Sequence, residues 1–140
     1  MFAVNKQTSE ITMHSGDTGS FWVHASRGSG AAWTSDDRML FTIKNPQGEI
    51  VIQRIYRLDD QWDKGDGYVL IEFHNDDTDT LANGTYNLER RYDVSPIWNG
   101  TPPGGRCVDA LTAGVKMVEG SIVRTVVQST LTIGDVYGRI

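Results

Sequence analysis

Asn83-Gly-Thr-Tyr-Asn-Leu-Glu-Arg-Arg-Tyr-Asp-Val94 is the stretch on which the reading of the fold turns. After the Asn-Gly turn signal, Tyr86, Leu88, Tyr92 and Val94 fall on one side of a period-two pattern, and Asn87, Glu89, Arg91 and Asp93 fall on the other. That alternation is the mark of a β-strand with one buried face. Arg90 lies on the apolar side, where an unpaired charge is costly, so a carboxylate or carbonyl partner is expected for it.

The same period recurs on the N-terminal side. In Phe21-Trp-Val-His-Ala25, residues Phe21, Val23 and Ala25 oppose Trp22 and His24. In Arg38-Met-Leu-Phe-Thr-Ile-Lys44, residues Met39, Phe41 and Ile43 point inward, leaving Arg38, Thr42 and Lys44 to water. In Tyr68-Val-Leu-Ile-Glu-Phe-His74, Val69, Ile71 and Phe73 form the apolar face. Asn45-Pro-Gln-Gly48 predicts a hairpin turn into the β-branched run 49–57, because proline pre-sets φ and glycine accepts a positive one. Residues 59–67 form a polar connection, and residues 115–118, 121–128 and 130–133 are expected to supply three last strands, separated by short breaks. Asn99-Gly-Thr-Pro-Pro-Gly-Gly105 cannot pair in a central strand and is expected to project as a loop. No segment repeats its apolar residues at 3.6 over ten positions, so the pattern predicts one all-β domain over residues 1–140, an antiparallel β-sandwich.

Composition narrows the function. Hydrophobic residues are 39% of the 140 and charged residues 22%, which describes a globular chain. A formal charge of −5 argues against a nucleic-acid partner, which needs a basic face for phosphates. No apolar run approaches the roughly 20 residues of a membrane helix, and the first ten residues lack a signal peptide's cationic and apolar regions; a cytoplasmic chain with no membrane contact is expected. The single Cys107 has no partner for an internal disulfide and no neighbouring motif that activates a thiol.

Candidate chemistry is sparse. Asn75-Asp-Asp-Thr-Asp-Thr80 holds three carboxylates in four residues but lacks the glycine and distal glutamate of a calcium loop, and reads as a strand-end turn. Glu72 and Glu89 are the pair a glycosidase reading would use, if adjacent strands set them across a cleft. His14, His24 and His74 have no metal-ligand spacing, and Ser15-Gly-Asp-Thr-Gly19 lacks the lysine of a phosphate loop and reads as a tight turn. No metal, cofactor or catalytic residue is expected. Trp22, Trp33, Trp62 and Trp98 are the candidate interaction residues, since three of them sit in or beside predicted loops. Tryptophan anchors interfaces and stacks on sugars, but it also caps the ends of a sandwich, and both readings stay open. Asn83-Gly-Thr85 and Asn99-Gly-Thr101 match glycosylation acceptors and read as Asn-Gly turns.

Phe41-Thr-Ile-Lys-Asn-Pro-Gln-Gly48 and Asp77-Thr-Asp-Thr-Leu-Ala-Asn-Gly-Thr-Tyr-Asn-Leu-Glu89, with Gly16-Asp17-Thr18 before them and Val123-Arg124-Thr125 after, occur in an order and spacing that resemble a known family. It is the N-terminal domain family of phage baseplate upper proteins and related prophage tail and fibre proteins, and the resemblance covers about residues 10 to 140. Leu88-Glu89, where related sequences often carry Trp-Asp, and the long Pro/Gly loop after Trp98 depart from the pattern. The resemblance implies an immunoglobulin-like sandwich without catalytic residues. It also implies a structural or adaptor role in a virion assembled in the bacterial cytoplasm, as a homo-oligomer or joined to other phage tail or baseplate proteins. The stretch Gly134-Asp-Val-Tyr-Gly-Arg-Ile140 would then be the attachment to a neighbour. A carbohydrate-binding module for host cell-wall glycans is the alternative, and a small hydrolase the third reading.

Overall fold

A computed structural model describes residues 2–28, 30–60, 62–118 and 120–134. Its strands are β1 (Ala3–Val4), β2 (Ile11–His14), β3 (Gly19–His24), β4 (Arg38–Lys44), β5 (Ile50–Arg57), β6 (Tyr68–Phe73), β7 (Gly84–Val94), β8 (Trp98–Asn99), β9 (Cys107–Asp109), β10 (Lys116–Met117) and β11 (Ile122–Gly134). Two single-turn helices interrupt them, α1 (Asn75–Thr78) and α2 (Ala110–Ala113). None is long and apolar enough to cross a membrane.

The all-β expectation holds, and the topology adds to it. A seven-stranded sheet runs β1-β2-β11-β7-β4-β5-β9, and β3 and β6 form a separate two-stranded ribbon, as do β8 and β10. The main sheet is mixed: β2 runs parallel to β11, Ile11 opposite Leu131, while the other pairs are antiparallel. These two strands lie at opposite ends of the chain, so no short turn dictates their relative direction. The stretches 121–128 and 130–133, read as two strands, form one 13-residue strand from Ile122 to Gly134, because Ser129 and Thr130 continue the ladder opposite Leu88 and Asn87.

The period-two faces became the core. Met39, Phe41 and Ile43 of β4, Tyr86, Leu88 and Tyr92 of β7 and Leu131 and Ile133 of β11 join Val23, Val69, Ile71 and Phe73 of the β3–β6 ribbon in one buried cluster. The ribbon therefore lies across one face of the sheet, and the Phe41 and Phe73 rings meet edge to face at 6.2 Å. Each fully buried side chain of this size contributes roughly 1.5–3 kcal/mol of transfer free energy. The predicted hairpin at Asn45 forms as read, with Gly48 at φ +84° and the Gly48 N–H donating to the Asn45 carbonyl.

Three expectations are corrected. Arg38 and Thr42 are buried, not wet. The Arg38 guanidinium donates to the carbonyls of Ser35, Asp37 and Pro103 and lies over the Trp98 ring, while Thr42 Oγ1 accepts from Gln53 Nε2 at 3.2 Å. The loop 99–105 projects only in part, since Pro103 is buried and its carbonyl closes over Arg38. Among the described residues Arg90 is met by hydroxyls and not by a carboxylate or carbonyl: Nη1 donates to Tyr92 Oη at 2.9 Å and Nη2 to Ser9 Oγ at 3.2 Å.

Two turns singled out in the sequence dock on each other. Gly16 N–H donates to Thr78 Oγ1 and Ser15 Oγ donates to the Thr78 carbonyl, both at 3.0 Å. Asp77 accepts from the His74 N–H at 2.7 Å and meets Arg54 at 2.8 Å, so the acidic turn ties β5 and β6 together. A tighter approach occurs at Gly67, whose φ is +80° and whose missing Cβ leaves room for the Ala25 carbonyl oxygen and Trp33. Gly67→Ala forces both to move, and the expected cost is roughly 1–3 kcal/mol, read as a lower denaturation midpoint with an unchanged m-value.

Candidate functional site

The feature that most distinguishes the surface is an uncovered strand edge. β11 is bonded to β7 along its length, from Ile122 opposite Val94 to Ile133 opposite Gly84. On its other side β2 reaches only Leu131 to Gly134. Among the described residues no strand pairs with that side of residues 122–130. Such an edge presents a row of backbone donors and acceptors, and sequences ordinarily blunt it with charge or proline. Here residues 122–130 hold no proline and a single charge, Arg124, whose guanidinium donates to the Arg27 carbonyl.

Apolar side chains flank the edge. Ile122 is 66% exposed and Val126 is 46% exposed, with Val123 also in water. Ile97 is exposed beside the start of β11, because its N–H donates to Ser121 Oγ at 3.0 Å. By register Val123 lies opposite Asp93 and Val126 opposite Arg91, and a bulge separates Val123 from Thr125. On the opposite face, Thr125 and Val127 line a cavity of about 280 Å³ with Trp33, Arg90 and Tyr92.

The electrostatics beside the edge are closed within the chain. Arg91 Nε donates to Asp93 Oδ1 at 2.9 Å, and Asp93 is fully buried, with no hydrogen-bond partner for Oδ2 among the described residues. Burial raises the Asp93 pKa above the ordinary carboxylate value, opposed by Arg91 and reinforced by Glu89.

The four tryptophans do not form one surface. Trp33 and Trp62 are core residues, 5% and 9% exposed, which fits the capping reading for these two. The cause is local: Trp33 Nε1 donates to the Ala25 carbonyl at 2.9 Å, and Trp62 packs on Tyr56 and under Arg106. Trp22 is half-buried and meets Trp62 edge-on at 88°, with Lys64 over its ring. Trp98 is half-buried against Arg38.

The carboxylates and imidazoles are also dispersed. Glu72 lines a cavity of about 290 Å³ with Arg54, Tyr56, His74 and Cys107, and burial pushes the Cys107 thiol up in pKa. Glu89 lines a different, polar hollow of about 480 Å³ with Thr42, Lys44, Asn87, Gln128 and Thr130. His24 stacks on Tyr68, His14 lies 4.0 Å from Asp17, and His74 lies 3.4 Å from Glu72. Among the described residues no three His, Cys, Asp or Glu side chains gather as a metal site. Residues 135–140, read as an attachment, lie outside the described residues.

The uncovered edge was not anticipated, although its signal is visible in sequence as a β-branched run with one charge. Dividing that run at Ser129 concealed its length. The Asp93 carboxyl beside it makes a pH test possible. Because the folded protein keeps the Asp93 proton to higher pH than the unfolded chain, the native state binds more protons between the two pKa values, and this group's contribution to stability falls as pH rises through that window. Asp93→Asn removes that fall, so the stability of the variant relative to the parent is expected to improve from pH 4 to pH 7, measured by urea unfolding at each pH. No protein-family model, no curated protein and no solved structure matches the chain.

Proposed function

We propose that this chain is a non-catalytic structural adaptor domain of a phage or prophage tail or baseplate, held in the virion by contacts with other tail proteins and with copies of itself. The observation that carries this reading is the uncovered β11 edge with its apolar flank, a surface suited to binding another protein's backbone. Val123-Arg124-Thr125, one of the pieces on which the family resemblance rests, lies on that edge. Two other pieces, around Gly16 and Thr78, hydrogen-bond to each other, so their spacing has a structural cause. The immunoglobulin-like form of the sandwich belongs to the same proposal, and the β3–β6 ribbon packed on the main sheet supports a two-layer arrangement.

The other readings have less support. Glu72 and Glu89 line separate cavities, where a hydrolase needs both in one cleft. A glycan-binding module would be favoured by a flat, exposed aromatic pair, and Trp22 meets Trp62 edge-on. Antibodies raised against the chain should label the tails of particles sedimented from an induced culture of the bacterium that encodes it. Antigen confined to the soluble fraction, with particles unlabelled, overturns the adaptor reading.

A further inference from the structure

The uncovered edge of β11 admits a definite occupant, and we infer that it is the same edge of a second copy, paired antiparallel about a twofold axis perpendicular to the sheet. The inference stands on the geometry of this strand alone and does not require a phage particle.

Charge is the first argument. The chain carries a net −5, so two copies repel over most approaches, whereas residues 122–130 hold no acidic side chain and one cation. The charges flanking the strand are already engaged within the chain: Arg91 with Asp93, Arg124 with the Arg27 carbonyl, and Arg27 with Asp37 at 3.9 Å. Each copy brings one cation within residues 122–130, Arg124, which the neutral Arg27 carbonyl holds in place without cancelling its charge.

Self-complementarity is the second. Opposite residues in an antiparallel pair share a face, so a twofold axis of this kind passes midway between two copies of the same residue. Centred on Val127, it sets Val127 against its own copy, Val126 opposite Gln128 and Thr125 opposite Ser129. Every one of these pairs is neutral, and β-branched residues predominate, the composition that cross-strand contacts favour. The two Arg124 side chains then lie roughly 20 Å apart along the ladder, beyond the screening length at physiological salt. The bulge after Val123 and the start of β2 opposite Leu131 bound the shared stretch at its two ends.

A twofold contact uses one patch twice and closes at two copies. Val126, 46% exposed within the shared stretch, supplies apolar area beyond the backbone bonds.

The test is light scattering after size exclusion over a concentration series, on the parent chain and on Val126→Lys. Val126 is exposed and a lysine there blunts a strand edge, so the variant should keep the parent's fold, read as an unchanged circular-dichroism spectrum. The expected result is a dimeric parent and association weakened roughly tenfold or more in the variant. As a check on register, Val127→Cys in a Cys107→Ser background should oxidise to a disulfide-linked dimer. A parent that stays monomeric at every concentration overturns the inference and leaves the edge to a strand of another protein. A trimer or hexamer, or a dimer that Val126→Lys and the cysteine pair leave untouched, overturns it as well. Each of these results is independent of whether tails are labelled.

Discussion

A guanidinium inside the core is the constraint to which much of this structure answers. Arg90 sits on the apolar face of β7, 8% exposed, between Leu88 and Tyr92. A buried cation without hydrogen-bond acceptors costs several kcal/mol, so acceptors must be brought to it from elsewhere in the chain. Tyr92 supplies one from the same strand and Ser9 the other from 81 residues away. Ser9 adopts φ +63° in the turn between β1 and β2, a conformation non-glycine residues seldom take, and its N–H donates to the Asn5 carbonyl at 2.7 Å. The turn is thus held from within by its own backbone bond and from without by Arg90. The N-terminal strands are fastened to the middle of the sheet through this contact as well as through their pairing with β11.

What could be read from the sequence follows the same physical division. Faces that are apolar on one side only, such as Met39-Phe41-Ile43 and Val69-Ile71-Phe73, identify their strands because period two and burial agree. Arg38 and Thr42 defeat that reading, since the polar face of β4 is covered by Pro103 and Trp98, distant in sequence, over Arg38, and by the cross-strand Gln53 of β5 beside Thr42. Cys107-Val108-Asp109 carries no strand signal of its own, and pairs because β5 offers it an edge at Arg54, Ile55 and Tyr56. The parallel pairing of β2 with β11 joins the two ends of the chain, beyond the range of any local pattern.

The candidate site divides in the same way. Tryptophan type favours an anchoring role, but exposure decides it, and exposure depends on partners such as the Ala25 carbonyl for Trp33 and Tyr56 for Trp62. The glutamate pair fails for a topological reason. Glu72 belongs to the ribbon and Glu89 to the central strand of the main sheet, with the core between the two layers. Adjacency in a list of strands is not adjacency in a sheet.

The point at which β2 begins can be traced back to Arg90. Lengthening β2 toward its N-terminus would cover more of β11, but the residues that would form the extension are Ser9 and Glu10, and Ser9 is the hydroxyl that the buried guanidinium needs. The turn must therefore come where it does, β2 starts at Ile11, and β11 is paired on that side only from Leu131 onward. Meanwhile β7 requires β11 to be long, since its own residues from Gly84 to Val94 need a partner on that side. Among the described residues, a long β11 beside a short β2 leaves residues 122–130 with one strand neighbour, and the place where that neighbour's cover begins is tied to burying one cation in the strand next door.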